Sequence, residues 1–494
     1  MSDLQEERKQ IESYMKDNNL EDMLNDCINE LVRERPEDPF LDLSQTFESK
    51  SKLNAKIIAA RAREVLSATG EPAFEAEIET IRGTFRCIVS DMGSYDEDEN
   101  RYRGKGLLKA VEFTTTLLAD KLLGKNPINQ SEIDGILGGD ANSPKCAVLA
   151  LSVACCKAAA KYKEVELYEH IAQIANISEP HIPMPWFNIV NGGVAGENVL
   201  YAQSISLVPV KAESIQDALT TAFDIYSSFP TRLAAEEGES KPNIGKLGGY
   251  SPTTESVDKI FQVLAETAKE TGQENGVKFG VTMNVENYCN KIETEEGGEE
   301  EADEYEYELS KFDKQDAVKV VKSSGEMVDL YYEWLTTFPL IYLEDAFDKR
   351  DTTGLIGLKE KVEAAHEQFK SEGGEASEAN PNYFPGNVGG KHDVLVQLVG
   401  NQSIQTPDDI ARADEKQIMN AINLNLGKAG SVTKLIELSA KAERLGMPVV
   451  LGCEEVGGGL GGDVFSAHVA VGLRASMFKA GGLLGGVGLL VVLI

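Results

Sequence analysis

The stretch Pro183-Met184-Pro185-Trp186-Phe187-Asn188-Ile189-Val190-Asn191-Gly192-Gly193 begins a long series of short apolar segments. Phe187-Asn188-Ile189 lies in an apolar run bounded by proline and glycine, which is typical of a buried strand. From Met184 onward such runs alternate with helical segments, and repeated alternation predicts a barrel of parallel strands over 181–494. The other strand candidates are Ile205–Val208, Phe279–Met283, Leu340–Leu343, Val394–Val399, Ala421–Leu426 and Pro448–Leu451.

The segment before the barrel, 55–180, has the pattern of an antiparallel sheet followed by helices. Ile57-Ile58-Ala59 opens it, Phe74–Ile81 alternates between apolar and polar residues, and Phe85–Val89 follows a turn at Gly83. Strands that come first and helices that follow them predict an α+β domain.

A separate helical unit, 8–50, precedes this domain. Four apolar residues recur at helical spacing and form one stripe, and Arg35–Pro39 ends that helix because proline cannot continue it. A unit this short cannot bury a core of its own, so we expect it to pair with a second copy. The stripe consists of Leu20, Leu24, Ile28 and Leu31.

Charge and composition exclude several classes of function. Asp and Glu number 81 against 48 Lys and Arg, a formal charge of -33, so the averaged surface repels nucleic acid and anionic lipid. The seven cysteines are scattered, and none of the five histidines has zinc-finger spacing from a cysteine pair. The first thirty residues contain no apolar core of signal-peptide type, which predicts a cytosolic protein. Because of the negative charge, neither nucleic acid nor a membrane is expected as a partner.

Four stretches of unusual composition are predicted to be structural and not functional. The acidic or small-residue stretches 293–308 and 371–391 are expected to be solvated insertions in the barrel. Gly457–Gly462 could cradle a phosphate, but no P-loop lysine and serine follow it, so a flexible loop is the preferred interpretation. Gly481–Ile494 is apolar but broken by glycine and too short to cross a bilayer, so we interpret it as buried, with membrane anchoring as the alternative.

Several ordered blocks resemble the enolase (phosphopyruvate hydratase) family. They are the opening stretch Pro183–Gly193, Leu343-Glu344-Asp345, Val471-Gly472-Leu473-Arg474 and, upstream, Ala60–Leu66 with Gly70-Glu71-Pro72. The similarity runs from about residue 55 to 480. It implies an enolase-type N-terminal α+β domain followed by a (β/α)8 barrel, in an α/β protein preceded by a short helical hairpin.

The resemblance implies a Mg²⁺ site that has lost most of its charge here. Enolases hold the first Mg²⁺ with three carboxylates at the ends of barrel strands. At the matching positions this chain has Thr282, Glu344 and Asn401, so one carboxylate remains. A hard divalent cation prefers anionic oxygen ligands, and we therefore expect no bound cofactor.

The catalytic positions implied by the resemblance are altered as well. The family's Leu-Lys-Val-Asn-Gln-Ile-Gly-Thr corresponds to Leu424–Ser431, which places Asn425 where the base lysine belongs. Gly-Asp-Glu-Gly-Gly corresponds to Gly245–Gly249, which places Leu247 where the acid belongs. Ala195 replaces a histidine, and in the family's Gln-Glu pair Gln203 remains while Ser204 replaces the glutamate.

The substrate-binding positions are mostly lost too. Gly452-Cys453-Glu454-Glu455 stands where the family has Ser-His-Arg-Ser for the substrate phosphate, and Asp91–Glu97 has no clear equivalent of the loop serine. Lys479 remains from the contacts with the substrate carboxylate. Lys428 could substitute for the base, but it lies beyond the strand end, so we do not favour that role.

The helical unit resembles the dimerisation and docking domain of protein kinase A regulatory subunits. Its Pro-x-Asp-Pro-Phe ending matches Pro36–Phe40. In that family two hairpins pair and grip an amphipathic helix from an anchoring protein. The resemblance implies a homodimer docked to a scaffold helix, and, because such units occur on proteins of cilia and flagella, a place in the axoneme. A plain solvated helical pair is the alternative.

These observations predict a catalytically impaired enolase-like pseudoenzyme with a structural or docking role. Each missing acid, base or electrostatic stabiliser costs about 10² to 10⁴ in rate. The first alternative is an active phosphopyruvate hydratase whose site is rearranged or aligned differently by a residue or two. The second is an enolase-superfamily enzyme acting on another acid, which would still need a metal site and a Lys or His base.

Overall fold

The computed structural model describes residues 2–51, 55–67, 70–90, 93, 100–238, 240–292, 304–312, 319–371, 396–452 and 464–483. The chain begins with three helices, α1 (Ser2–Asp17), α2 (Leu20–Glu34) and α3 (Pro39–Lys50). Asp38 caps α3 by accepting hydrogen bonds from the amides of Phe40 and Leu41, both at 3.0 Å. Proline at the first position of α3 has no amide hydrogen to satisfy, so Asp38-Pro39 is a strong start signal.

The apolar stripe of α2 is divided between two faces of the helix. Leu20 and Leu31 are half-buried, on the same side as the fully buried Cys27. Leu24 and Ile28 are exposed instead, at 43% and 45%, and Val32 extends their row by one turn at 63%. The predicted stripe is therefore two stripes. One faces the rest of the module, and the other, Leu24–Ile28–Val32, faces outward.

A three-stranded antiparallel sheet follows the helical module. Its strands β1 (Ala59–Leu66), β2 (Pro72–Thr80) and β3 (Gly83–Ser90) pair in sequence order, as expected for strands joined by short turns. Gly83 has φ +127°, a conformation open to glycine, and it allows the tight turn between β2 and β3. The helices that complete this domain are α4 (Leu108–Phe113), α5 (Ala119–Leu122), α6 (Gln130–Gly138), α7 (Lys145–Lys163) and α8 (Leu167–Ala175), with a π-helical turn at Thr114–Leu118 and a 3₁₀ turn at Tyr102–Gly104. The predicted α+β organisation is confirmed.

Arg82, in the turn between β2 and β3, links the helical module to the α+β domain. Its Nε atom lies 3.0 Å from a carboxylate oxygen of Glu48 in α3. Its Nη1 atom lies 2.6 Å from Glu164 at the end of α7, and its guanidinium group lies 5.0 Å from the centre of the Tyr162 ring. The arginine side chain is 17% exposed, so both ion pairs are partly shielded from water.

His170 in α8 predicts acid sensitivity. The residue is fully buried, and neither ring nitrogen has a hydrogen-bond partner among the described residues. Burial, with a smaller contribution from Lys163, lowers the pKa of His170 from 6.5 to about 4. The folded state therefore resists protonation, so stability is complete above pH 6.5 and is lost as the pH falls from 6.5 towards 4.

We expect the free energy of unfolding to fall by about 2 kcal/mol when the pH is lowered from 7.5 to 5, because His170 binds a proton more readily in the unfolded state. Urea unfolding at the two pH values measures the loss. The variant His170→Leu should lose correspondingly less over the same interval, because it has no ring to protonate. An equal loss in both proteins would contradict this prediction.

Eight strands form the closed barrel: β4 (Met184–Asn191), β5 (Ser204–Val208), β8 (Lys278–Thr282), β12 (Leu340–Glu344), β13 (Gln397–Gly400), β14 (Ala421–Leu424), β15 (Val449–Gly452) and β16 (Met477–Lys479). Pairing of β16 with β4 closes the ring, and a short hairpin of β6 (Asn243–Ile244) and β7 (Tyr250–Ser251) is attached to β4. The predicted (β/α)8 barrel is confirmed. The last barrel strand, β16, was not among the predicted strands, because the sequence analysis singled out this segment only for Lys479.

The second barrel strand corrects the expectation of a wholly parallel barrel. β5 runs antiparallel to both of its neighbours, β4 and β8. The chain between β4 and β5 contains only the four-residue helix α9 (Gly193–Gly196), too short to carry the chain back across the sheet for a parallel return. As a result the start of β5, and not its end, lies beside the carboxyl ends of the other strands.

Helices, all but α15 longer than α9, connect the remaining strands and cover the barrel. Five of them begin at a serine or threonine whose hydroxyl accepts the amide three residues on, and those cap residues are Ser214, Ser256, Ser323, Thr406 and Ser431. The helices are α10 (Ile215–Glu237), α11 (Val257–Glu270), α12 (Ser324–Thr337), α13 (Thr352–Ser371), α14 (Pro407–Lys416), α15 (Leu426–Ala429), α16 (Val432–Leu445) and α17 (Phe465–Gly472), and a 3₁₀ turn lies at Val285–Asn287.

The first predicted insertion is not wholly a solvated loop. Its last residues form β10 (Tyr305–Glu308), which pairs between β9 (Cys289–Lys291) and β11 (Val321–Ser323) in a small antiparallel sheet. Tyr307 is fully buried, and its hydroxyl donates a 2.7 Å hydrogen bond to Asp351. An apolar ring at every second position anchors this strand although its composition is acidic.

Several predicted loops lie outside the described residues. They include 293–303 of the first insertion, 372–391 of the second, the glycine-rich Gly457–Gly462 and the terminal 484–494. Within the part of the chain that is described, no helix is both long and apolar enough to cross a membrane.

Candidate functional site at the carboxyl ends of the barrel strands

The barrel brings all three predicted metal-ligand positions to one edge. Glu344 ends β12, and its register partner on β8 is Thr282, the last residue of that strand. Asn401 follows directly after β13, the strand on the other side of β12. Because parallel strands end on the same side of a sheet, these three residues meet.

The Glu344 carboxylate is saturated by protein donors. Lys479 Nζ donates to Oε2 at 2.8 Å, and Asn401 Nδ2 donates to Oε1 at 2.7 Å. Asn423 Nδ2 lies 3.1 and 3.2 Å from the two oxygens, and the Tyr342 hydroxyl donates to Oε2. Glu344 is 0% exposed and Lys479 3%, so both charges are held away from water.

The adjacent carboxylates of Glu344 and Asp345 have pKa values that are shifted in opposite directions. Burial raises the pKa of Glu344, but Lys479 and the other donors outweigh it, so the net pKa lies below its usual value and the group is ionised. Burial and the nearby Glu344 charge raise the pKa of Asp345 to about 7, against the amides of Asn401 and Gln402 and the charge of Lys428. Asp345 accepts those two amides at 2.9 and 3.2 Å, and so fixes the turn after β13.

The donor set does not suit a divalent metal ion. Two of the three ligand positions, Thr282 and Asn401, are uncharged, and the single negative charge on Glu344 is already balanced by Lys479. In the described portion of the chain no group of three or more His, Cys, Asp or Glu side chains could hold a metal. Mg²⁺ prefers several anionic oxygens with accessible lone pairs, and the described residues of this edge offer none to spare.

At the two positions that the resemblance assigns to the base and the acid, the side chains cannot exchange protons. Asn425 caps the short helix α15, and its side-chain oxygen accepts the amides of Gly427 at 2.6 Å and Lys428 at 3.3 Å. Leu247 is half-buried, and its backbone carbonyl accepts the Gly482 amide at 2.8 Å. Both residues are tied into the local backbone, so neither provides an acid or a base.

Three further predicted positions, Ser204, Gln203 and Ala195, also lie close to the carboxyl ends of the barrel strands. Ser204 begins β5 and is paired with Thr282, which follows from the antiparallel direction of that strand. Gln203 accepts a hydrogen bond from the side chain of Asn284, and its amide donates to the Thr282 carbonyl at 2.9 Å. Ala195 is buried in α9. The loop residues 91–92 and 94–97 and the phosphate-side residues 453–455 lie outside the described residues.

Sequence reasoning missed three members of the network. Tyr342 and Asn423 lie two residues before Glu344 and Asn425 respectively, so each shares a strand face with a predicted position. That period of two was the available signal. Lys428, which was considered only as a remote substitute base, reaches back from α15, and its Nζ donates to Asn401 Oδ1 at 2.5 Å. Its place on a helical turn, and not on a strand, hid this approach.

Comparison with known proteins identifies the class to which this fold and edge belong. Residues 179–371 and 384–485 match the description "Enolase, C-terminal TIM barrel domain", and residues 57–171 match "Enolase, N-terminal domain". The chain belongs to the enolase family.

Its relatives are distant but match along most of their length. The chain is similar to proteins named "Enolase" from Eimeria tenella, at 29% identity over 86% of this chain and 91% of that one, and from Mastigamoeba balamuthi, at 28% over 85% and 90%. It is also similar to "Cytosolic enolase 3" of Arabidopsis thaliana, at 25% over 95% of this chain and 92% of that one.

The match to the Arabidopsis protein extends beyond the two family domains. A share of 95% of 494 residues is about 469, whereas the segment 57–485 that contains both domains has 429. Only nine residues, 486–494, remain beyond that segment at the carboxyl end. The match therefore includes about 30 or more of residues 1–56, so the alignment with this relative extends into the helical module.

Proposed function

We propose that this protein is a catalytically impaired enolase-like pseudoenzyme with a structural and docking role. The observation that carries this proposal is the saturation of the Glu344 carboxylate by Lys479, Tyr342, Asn401 and Asn423. An enolase must stabilise a multiply charged ene-diolate with metal ions, take a proton with a base and expel hydroxide with an acid. Here the remaining metal-site carboxylate is engaged internally, and Asn425 and Leu247 cannot transfer protons.

The docking half of the proposal rests on the outward face of the helical module. Leu24, Ile28 and Val32 form a row at intervals of four residues, each at least 43% exposed. Such a row is the usual contact surface for a second helix, since apolar side chains one turn apart lie on one face. Phe40 and Leu41 at the start of α3 add exposed apolar surface, at 81% and 57%.

We infer that two copies of the chain pair through this module and that the pair binds an amphipathic helix of a scaffold protein. The resemblance to the kinase regulatory-subunit module supports this arrangement and supports an axonemal place, within the cytoplasm, in a cilium or flagellum. The enolase-like α+β domain offers a second surface for pairing. Neither nucleic acid nor membrane is a partner in this proposal, in keeping with the net charge of -33.

The metal-site half of the proposal predicts that Mg²⁺ leaves the stability of the protein unchanged. A ligand stabilises the native state only to the extent that it binds it, and Thr282, Asn401 and a neutralised Glu344 offer little affinity. We expect the melting temperature to change by less than about 1 °C between millimolar chelator and millimolar Mg²⁺. Differential scanning fluorimetry measures it, with the Eimeria tenella enolase as a comparison. A rise of several degrees that chelator reverses would contradict the proposal.

An active phosphopyruvate hydratase with a rearranged site is the second candidate. Lys428 favours it, because this cation lies 2.5 Å from Asn401 Oδ1 and is therefore at the edge where a base would be needed. Its relatives named "Enolase" agree with such an activity. The two candidates differ in one measurement, the dehydration of 2-phosphoglycerate to phosphoenolpyruvate by the purified protein.

A further inference from the structure

The apolar face of the first helix, α1, is exposed along its described length. Ile11, Tyr14 and Met15 lie on this face, one helical turn apart, and are 54%, 65% and 42% exposed. Every described residue of the helix from Glu6 to Asp17 is exposed. A helix of this length is only marginally stable in water by itself, and most of its stability in a protein comes from packing of its apolar face. Because the described part of its own chain leaves that face uncovered, α1 calls for a cover from another molecule.

The outward row of α2 has the spacing that the face of α1 requires. Leu24 and Ile28 in α2 are one helical turn apart, as are Ile11 and Met15 in α1. A parallel arrangement that sets Ile11 against Leu24 therefore sets Met15 against Ile28. Both helices thus offer exposed apolar side chains that can cover each other in a single register.

Charge favours α1 as the cover of this row. In the same register Arg8 of α1 falls against Glu21 of α2, because each precedes the first of the matched apolar residues by three positions. The Arg8 side chain is 81% exposed and contacts Glu12 of its own helix at 3.0 Å. α2 has five acidic residues and one basic residue, whereas α1 has five acidic and three basic. Two α2 helices placed against each other would bring more like charges together, which is costly at an interface.

The connector between the helices indicates that the cover comes from a second copy of the chain. The amides of Asn18 and Asn19 donate to the carbonyls of Tyr14 and Lys16, at 3.2 and 3.1 Å, and the Met23 amide donates to the Asn19 carbonyl at 3.2 Å. These bonds fix the direction of α1 relative to α2 with both apolar faces exposed. Two copies related by a two-fold axis can exchange these helices, so that each α1 covers the α2 row of the other copy.

We propose that α1 is an internal ligand of the outward row of α2. In the free pair, α1 of each copy lies on the row of the other copy, and an amphipathic helix of the scaffold displaces it on binding. The inference rests on the proposed pairing and docking through the helical module. It adds that the free protein keeps its docking row covered, so the scaffold helix binds with an affinity reduced by the fraction of rows that are open.

A chain that carries both Ile11→Cys and Leu24→Cys tests the contact under mild oxidation. The exchange brings these two positions together in different copies, so a reducible dimer of the 53.7 kDa chain should appear on a denaturing, non-reducing gel. Each single variant is a control and should give no more dimer than wild type, because neither helix contacts its own counterpart. A disulfide within one chain, the absence of any disulfide, or a dimer formed equally well by a single variant would overturn the proposal.

A fluorescent peptide with the sequence of residues 2–18 measures how far the row is already covered. It should bind the full chain with Ile11→Asp and Met15→Asp at least about 10-fold more tightly than wild type, because the α1 helices of that variant no longer compete. Gln10→Asp with Ser13→Asp is the matched control, since both residues are exposed and lie outside the apolar face of α1. The control should bind the peptide like wild type. Equal affinity of wild type and the Ile11 and Met15 variant would contradict the proposal.

The place where the peptide binds is checked by adding Leu24→Asp and Ile28→Asp to the same variant, which should abolish binding. Peptide binding that persists would show that α1 covers another surface, and the proposal would be wrong. Neither test uses a scaffold protein, an axoneme or a substrate. If both tests fail while Leu24→Asp with Ile28→Asp still releases the protein from the axoneme, docking through α2 stands and only the internal ligand is refuted.

Discussion

Purified protein given 2-phosphoglycerate and Mg²⁺ is expected to form phosphoenolpyruvate at least about 10⁴-fold more slowly than an ordinary enzyme turnover of about 1 to 10³ per second. A missing base or acid costs about 10² to 10⁴ in rate, and a missing electrostatic stabiliser about 10² to 10³. Asn425, Leu247 and Asn401 represent one loss of each kind. Losses within one site combine less than multiplicatively, and the stated limit allows for that.

The absorbance of phosphoenolpyruvate measures this rate directly, with the Eimeria tenella enolase as the positive control. The variant Glu344→Gln is the internal control, because a trace of activity that persists unchanged in it comes from contaminating enolase. Turnover in the ordinary range that disappears in Glu344→Gln would establish the active alternative. In that case Lys428→Met would show whether this lysine is the base.

Under the proposed docking role, replacement of Leu24 and Ile28 by aspartate is expected to weaken binding to a scaffold helix and to release the protein from the axoneme. Both side chains lie on the outward row of α2, at 43% and 45% exposure, so two charges there should leave the chain folded. Charge placed in an apolar seam that a partner must cover is costly, and affinity should fall by at least about 100-fold. Co-purification with axonemes and localisation in ciliated cells measure the effect.

The matched control is Asn25→Asp with Asn29→Asp. These residues are one position further along the same helix, are exposed, and add the same charge at the same spacing of four. The control should bind and localise like wild type, and deletion of residues 1–50 should reproduce the loss while leaving the barrel folded. Axonemal localisation of the deletion variant would assign docking to the barrel surface.

The sequence was sufficient to predict most of the fold. Runs such as Phe279–Met283 and Leu340–Leu343 are almost wholly apolar, as is typical of a strand buried on both faces, and they correspond to β8 and β12. The direction of β5 was missed because the pattern of apolar residues in a strand does not indicate whether the strand runs parallel or antiparallel to its neighbours. The length of the connection does carry that information, since a stretch with one turn of helix cannot return a chain for parallel pairing.

The site was predicted as a set of positions and not as a set of contacts. Family blocks located Glu344, Thr282, Asn401 and Lys479, and the structure brings these four together. The hydrogen bonds among them depend on closure of the barrel, which brings the end of β16 close to the end of β12. No local sequence pattern predicts that the two strand ends are close together. The two-sided nature of α2 was hidden for a similar reason, because periodicity marks an apolar residue without saying which neighbour covers it.

The ion pairs of Arg82 restrict the rotation of the helical module relative to the α+β domain. α3 could swing about the residues that join it to β1 if that connection were its sole attachment. Because one guanidinium group contacts Glu48 of α3 and Glu164 at the end of α7 together, a rotation of α3 away from the α+β domain would break an ion pair that is partly shielded from solvent. Ion pairs at a protein surface contribute at most about 1 kcal/mol each, so these two favour one orientation of α3 relative to the α+β domain without locking it.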